Sequence, residues 1–415
     1  MHRQDFARVL AAEGVSNFGT MLSRLAIPFL AALQLQATPP QMAALLVADV
    51  VAGALGSLWL GSLIDRHGKR ATMLLADGLR CALVAALALA AWAGVVHMLL
   101  LVLASAASGL LTVAFGLARS AWMAQRVADA ELPQRNAQLS VAGSLSETAA
   151  FAIGGWLYQG LGAALSLAVD ALSYALSALC LRGVAEVRAA PPQPAPAQGA
   201  WQALRQDMAL GLRAIADRPL LRALVGVEAL LQFSMALTGT SYMIYVTRDV
   251  ALPTGPLGMV AALGALGAVA GAGLAPRLGR TIGPGWTMAL GLSAFAVGAA
   301  CIPMAPVAQG LGWAAVAWLV AHQIVGDAGH VMHDVHDRTL RQTAVPDALL
   351  ARVDAGIRSA GQLATLAGAV AGGVIGSATD ARTVLWLAAA VAAVAAGVAA
   401  MRLSPLSSHP AGNPG

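Results

Sequence analysis

The chain reads as long apolar runs separated by short polar turns. One bilayer crossing needs about 20 predominantly apolar residues. Twelve runs meet that length, at roughly 7–34, 41–63, 71–94, 98–121, 137–159, 162–182, 221–247, 256–278, 285–304, 311–337, 356–378 and 382–402. Apolar segments of this size predict membrane-spanning helices, so the expected fold class is an all-α membrane protein. Several turns between the runs are very short, as around Thr38-Pro39-Pro40 and Ala305-Pro306. One interval departs from the pattern. Ala189 to Gly199 is a Pro/Ala stretch that reads as an extended linker. After it, Leu204, Met208, Leu212 and Ile215 recur at helical spacing between Arg205 and Arg213, which predicts an amphipathic helix on the inner membrane surface. The expected organisation is a six-helix bundle at 1–188, a cytoplasmic linker and amphipathic helix at 189–219, a second six-helix bundle at 220–403, and a disordered cytoplasmic tail at 404–415.

Composition supports lipid as the solvent. Only 11% of the residues are charged and 58% are hydrophobic, with mean hydropathy +0.72, against roughly 25% charged in soluble proteins. Forty-four glycines suit close helix packing in a bilayer. Aromatics at 5% are too few for the girdles of a membrane barrel. The net charge of +5 suggests nucleic acid as a partner until its placement is examined. The basic residues cluster in alternate loops: Arg66, Lys69 and Arg70; Arg126 and Arg135; Arg182 to Arg222; Arg277 and Arg280; Arg338, Arg341 and Arg352. The intervening loops hold Arg248 and Arg382. That bias excludes a nucleic-acid interface and predicts cytoplasmic termini. Cys81, Cys180 and Cys301 are isolated in apolar runs and read as small buried hydrophobes, with neither a disulfide framework nor a zinc site. The polar start, Met1 to Arg8, and an overlong first run argue against a cleavable signal peptide.

The turn between the second and third runs is Gly61-Ser62-Leu63-Ile64-Asp65-Arg66-His67-Gly68-Lys69-Arg70. Its pattern, G-x-L-x-D-R-x-G-K-R, resembles the loop between the second and third helices of the major facilitator superfamily. Further segments extend the likeness: Asp170-Ala171-Leu172-Ser173-Tyr174, Gly211-Leu212-Arg213, Arg218-Pro219-Leu220-Leu221-Arg222, Thr339-Leu340-Arg341-Gln342 and Ala351-Arg352-Val353. Together they are similar to the bacterial branch of macrolide and siderophore exporters called drug:proton antiporter family 3. The resemblance implies twelve helices in two six-helix pseudo-repeats, alternating access, export driven by the proton gradient, and residence in the bacterial inner membrane. It also implies that Asp65 braces the inner side against the neighbouring half, with Arg66 and Arg70 completing the network and Gly61 and Gly68 allowing close approach and a tight turn. A loop serving only as a topology signal would need basic residues but no acid. The chain departs from the antiporter pattern in two places. Ala150-Phe151 stands where the fifth helix usually has Gly-Pro, and the fourth run has Arg119 at its cytoplasmic end but no arginine at its middle.

The halves look like diverged copies. Aligning Gly279 on Gly68 puts Arg277 on Arg66 and Pro276 on Asp65, and Ala150 to Gly155 echoes Gly368 to Gly373. Such repeats mark transporters whose substrate site lies near the midplane.

The tenth run is the most polar. It holds His322, His330, His333 and His336 together with Asp327, Asp334 and Asp337. At about 100° per residue these share one half of a helix, with Ile324, Val325, Ala328, Val331, Met332 and Val335 on the other. His330/Asp334 and His333/Asp337 are i,i+4 pairs. Such a face should border a wet cavity. Three readings stay open: a solvated helix end that binds nothing, a proton relay, or a transition-metal site using His330, His333, Asp334 and Asp337. Among other intramembrane charges, Asp49 and Glu228 sit deep and are candidates for coupling or for recognising a cationic substrate. Asp77 and Asp170 read as structural groups near helix ends.

The expected function is a secondary transporter exporting a small organic molecule, with no cofactor; its partners are protons and the bilayer, and it is expected to be a monomer. The alternative is export of a transition metal or metal chelate. An enzyme built on His330-Val331-Met332-His333-Asp334 would need ligands from several helices, and only one cluster exists. A non-transporting receptor on the same fold is a further class.

Overall fold

The computed structural model describes residues 3–186, 209–307 and 312–404, without the side chains of 3, 58, 59, 61–63, 65–67, 129, 347 and 348. Every regular element among them is helical. The first half comprises α1 (Arg3–Phe29), α2 (Pro39–His67), α3 (Lys69–Trp92) and α4 (Met98–Arg126). The continuous stretch Leu132–Arg182 follows, broken where Gly162 takes φ 76°; we call its parts α5 (132–161) and α6 (163–182). A glycine tolerates this left-handed geometry where other residues would strain. The second half comprises α7 (Pro219–Ile244), α8 (Thr254–Ile282), α9 (Pro284–Met304), α10 (Trp313–Ala344), α11 (Asp347–Ala378) and α12 (Ala381–Arg402). Nine segments among the described residues are long and apolar enough to cross a membrane, α5 and α6 counting as one; α1 and α10 are not among them.

Local chemistry explains the helix ends. Gln41 accepts the Thr38 N–H at 2.9 Å ahead of α2, and two prolines occupy the first turn, where no intrahelical donor is needed. Asp380 accepts the Thr383 N–H at 2.6 Å at the start of α12. Orphan carbonyls at the end of α9 take Tyr245 and Arg382: the phenol donates to Ala305 at 2.8 Å, and Arg382 Nε donates to Pro303 at 2.8 Å.

The chain folds into two compact units. Unit 1 is residues 1–193 with 252–262; unit 2 is 194–251 with 263–415. The first turns of α8 fall in unit 1, where Gly155 and Gly258 meet backbone to backbone, a built Cβ on Gly155 lying 2.9 Å from Gly258 Cα. In unit 1, α1 packs on the α5/α6 stretch, α2 on α4, and α3 on α4 and the α5/α6 stretch. In unit 2, α7 packs on α11 and α12, and α9 on α10 and α12. α8 also meets α10, with Gly267 against Ile324 and Gly271 against Ala328, so these neighbours match helix for helix. Two backbone irregularities match as well. α1 and α7 both end in a π turn, Leu30–Gln34 and Tyr245–Asp249. Gly68 before α3 has φ 90°, ψ 147°, and Gly283 before α9 has φ 84°, ψ 158°. Both pairs are separated by the same distance along the chain, so Gly283 is the partner of Gly68. The sequence alignment on Gly279 is corrected by one helical turn. Gly279 lies inside α8, against the ring of His336.

Each unit has its own apolar core. Trp122, Met73, Phe115 and Leu181 anchor one in unit 1; Leu224, Val227, Leu231, Leu292 and Val353 anchor one in unit 2. Large apolar residues also lie on the outside, including Leu75 and Leu89 of α3 and Val269 of α8, as lipid-facing positions should. The linker Ala189–Gly199 and residues 201–208 of the expected amphipathic helix lie outside the described residues, as does the tail beyond residue 404. Residues 209–216 are helical. Instead of lying only on a surface, Ile215 is buried in the unit 2 core.

Candidate functional site

Four groups of polar residues stand out, each within one unit. The first is the α2–α3 turn. Gly68 donates its N–H to Ile64 at 3.1 Å and turns the chain directly into α3. Lys69 is buried. Arg70 Nε donates to Leu181 O at 3.0 Å and Nη2 to Arg182 O at 2.5 Å, so its charge meets the C-terminal carbonyls of α6. The expected network with Arg66 would have turned Arg70 toward the other half; in this conformation its described contacts lie within unit 1. Glu186 accepts the N–H groups of Arg70 and Ala71, each at 3.1 Å, and so caps α3. Nothing in the sequence pattern marked Glu186. Asp65 and Arg66 lie in the last turn of α2, as does Gly61 in the turn before; the side chains of this stretch are outside the described residues.

The second group is a buried polar knot joining α1, α3, α4 and α6. Asp77 and Asp170 are fully buried and Arg80 is 3% exposed. Arg80 donates to Leu111 O at 2.8 Å and to Ser16 Oγ at 3.3 Å, and lies 3.4 Å from Asp77 Oδ1. Its guanidinium lies over the rings of Phe115 and Tyr174, at 5.2 and 5.3 Å. Ser177 donates to Asp77 at 2.6 Å. Ser23 and Ser173 hydrogen-bond Asp170, and the Thr20 and Tyr174 hydroxyls are 2.9 Å apart. Sequence reasoning placed Asp77 and Asp170 near helix ends; both are buried between helices, well inside α3 and α6. The Asp77/Arg80 i,i+3 spacing was the available signal. Nearby, Glu13 and Arg119 form an ion pair between α1 and α4. Because α4 continues to Arg126, Arg119 lies two turns inside the helix.

The third group is α10, whose His/Asp face is divided: Asp334 and Asp337 line the cavity described below, while His333 and His336 are buried against neighbouring helices. His322 Nδ1 is 3.0 Å from Gly298 O of α9, and His336 Nε2 is 2.9 Å from Ala275 O of α8. The His330 ring lies 6.0 Å from that of Phe295. His333 is 2% exposed, and neither ring nitrogen has a hydrogen-bond partner. Asp327 lies against Gly264 of α8, where a Cβ would collide with its carboxylate. His330 and Asp334 lie within electrostatic reach, but the ion pairs of both aspartates are made elsewhere. Asp334 takes Arg338 at 2.8 Å, and Asp337 takes Arg341, which also reaches Asp354 of α11 at 3.7 Å. Arginine one turn on carries a fixed charge and outcompetes a neutral imidazole. Among the described residues no three His, Cys, Asp or Glu side chains converge as metal ligands.

The fourth group is a cavity of about 470 Å³ in unit 2, lined by Glu228 of α7, Asp334, Asp337, Arg338 and Arg341 of α10, and Asp354 and Arg358 of α11. Gln232 donates to Glu228 at 3.0 Å. Asp49, by contrast, belongs to unit 1. It sits on α2 where Gly109 of α4 comes close, a Cβ there lying 2.7 Å from Asp49 Oδ1. The structure thus gathers Glu228 with Asp334, with His330 within electrostatic reach of both, and leaves Asp327 and Asp49 elsewhere.

Twelve helices in two matched sets, each set holding its own buried ionisable groups, define a multi-pass membrane fold. The model of the Major Facilitator Superfamily matches residues 9–336. The chain belongs to that superfamily. No curated protein sequence matches. Among solved structures, a bacterial homologue of the iron transporter ferroportin in an inward-facing state is 18% identical, with TM-score 0.74, covering 99% of this chain and all of that one. The nucleoside transporter NupG is 14% identical, with TM-score 0.73 and 97% and 99% covered. An auto-inhibited POT family peptide transporter is also 14% identical, with TM-score 0.73 and 100% and 99% covered. At these identities the likeness is one of fold.

Proposed function

We propose that the protein exports a small organic molecule of the drug, antibiotic or siderophore-like kind, by alternating access driven by the proton gradient. In this reading it sits in a bacterial inner membrane as a monomer with both termini cytoplasmic. The observation that carries it is the unit 2 cavity, where four carboxylates from α7, α10 and α11 face three guanidiniums. Carboxylates and guanidiniums crowded into one cavity can bind a charged group or transfer a proton. The resemblance to the exporter branch supplies the direction of transport. Asp65 serves the inner gate, and Glu228, Asp334, Asp327, His330 and Asp49 are the candidates for coupling or substrate contact. Export of a metal or metal chelate, as the name of the ferroportin homologue suggests, is less favoured, because His330, His333, Asp334 and Asp337 do not converge as ligands.

The test is a deletion strain challenged with antibiotics, divalent metals and iron limitation, followed by everted vesicles supplied from outside with whichever compound gives the strongest phenotype. Uptake of that compound into vesicles should collapse when nigericin abolishes the pH gradient. Asp65→Asn should express normally and slow that uptake sharply, since one charge in a two-state gate shifts the inward–outward equilibrium. A phenotype confined to metals, or uptake indifferent to nigericin, would overturn the reading.

A further inference from the structure

The buried knot of unit 1 is unequally charged. Two carboxylates, Asp77 and Asp170, share one guanidinium, Arg80, and all three are at least 97% buried. The geometry assigns Arg80 to Asp77. Its donors reach Leu111 O, Ser16 Oγ and Asp77 Oδ1, and Asp77 gains the Ser177 hydroxyl at 2.6 Å. The described hydrogen-bond partners of the Asp170 carboxyl are neutral hydroxyls, Ser23 of α1 and Ser173 of α6. The single proton of Ser173 is also directed at the Asp170 backbone carbonyl, 2.8 Å away. An ionised carboxylate so placed would share one guanidinium with Asp77 and lack the donors that would offset its desolvation. As a carboxylic acid it can donate one hydrogen bond and accept others, which two hydroxyls satisfy.

We propose that Asp170 holds a proton in the resting protein and is the proton-binding group of unit 1, with Asp77–Arg80 as its charge-balanced neighbour. Its part in transport rests on the proton-coupled reading above. Gly19 supports the assignment. A side chain there would collide with Asp170 Oδ1 and Ser173 Oγ, so the carboxyl is seated against the bare backbone of α1. Hydroxyls run along the same face of α1 at Ser16, Thr20 and Ser23, joined by Tyr174. One turn before Ser16 is Glu13, half-buried in its ion pair with Arg119. The titratable and charged groups around Asp170 are Asp77 and Arg80 of α3 and Tyr174 of α6, with the Glu13–Arg119 pair of α1 and α4 beyond Asp77. On release, the carboxyl O–H bond breaks, the proton passes to a water molecule, and a carboxylate remains that shares Arg80 with Asp77. Uptake is the reverse, and no other reactant is needed.

Infrared spectra of the full-length protein in liposomes at neutral pH test the assignment. A protonated-carboxyl C=O band should be present, should vanish in Asp170→Asn, and should survive in Asp77→Asn. Thermal unfolding adds an independent readout. Asp170→Asn, isosteric with the acid form, should melt with the wild type, whereas Asp77→Asn strips Arg80 of its carboxylate and should melt several degrees lower. In cells, Asp170→Glu should restore part of the wild-type resistance and Asp170→Asn none. A band that persists in Asp170→Asn, or an Asp170→Asn protein that melts as low as Asp77→Asn, overturns the assignment even where export obeys the pH gradient. If wild-type export ignores nigericin while the band maps to Asp170, the proton-coupled reading has failed, and the transport role of Asp170 is overturned with it.

Discussion

Glu186 shows how much a single residue outside every motif can hold. Its carboxylate caps α3, its backbone carbonyl accepts Arg126 at 3.2 Å, and the neighbouring Ala185 carbonyl accepts the Trp122 indole at 3.2 Å. Residues after α6 are thereby tied to α3 and α4. Glu186→Ala should lower the unfolding free energy by roughly 1 kcal/mol, the usual cost of losing a cap, and Glu186→Gln should recover part of it. Thermal unfolding in detergent measures both, and equal stability of Glu186→Ala and wild type would reject the capping role. The same scale explains what the sequence hid. Helical spacing put His330 with Asp334 and His333 with Asp337 correctly on one face, but spacing says nothing of competitors. Arg338 and Arg341 sit one turn further on and take both aspartates. Glu186 was equally hidden, because its partners are backbone N–H groups more than a hundred residues away.

Among the elements, α10 comes into close backbone contact with α9. A Cβ built on Gly298 of α9 would lie 2.7 Å from Gly326 Cα, and one on Gly291 would lie 2.6 Å from Gly329 O. This is the small-residue packing that membrane helices use to approach, and it brings the polar α10 within reach of α9 carbonyls. Gly329→Val should therefore abolish the monodisperse peak in size-exclusion chromatography. Gly397→Ala is its control: α12 has open space there, with nothing within 4 Å, and the helix should gain a little stability. A well-behaved Gly329→Val protein would show that α9 and α10 can part. Helix existence was legible throughout, because apolar length is a strong signal. So was the break near residue 162 and the sharp turn at Gly68. The register of the internal repeat was not. Gly279 fits by letter, and it is the backbone angle at Gly283, together with the spacing of the two π turns, that identifies the partner of Gly68.

At the scale of the whole molecule, the arginine pattern and the repeated helix neighbours together predict the topology. A phosphatase reporter fused after Arg402 should be inactive and a fluorescent one bright, with the reverse for reporters placed at Thr38 or Ala305; periplasmic phosphatase activity after Arg402 would reject the cytoplasmic C-terminus. The twelve-helix plan was legible because lipid imposes one segment length on every crossing. The depth of Asp77 and Asp170 was not, since depth depends on how far each helix runs beyond its apolar core. α10 has a consequence for how the protein is made. With its histidines, aspartates and arginines it is not among the segments apolar enough to cross on their own, and its polar groups find partners on α8, α9 and α11. α8 and α9 leave the ribosome before it, whereas α11, which supplies Asp354, leaves afterwards. A nascent chain stalled before α11 emerges should keep α10 waiting at the translocon, and release into the bilayer should come with the whole group of helices rather than one by one.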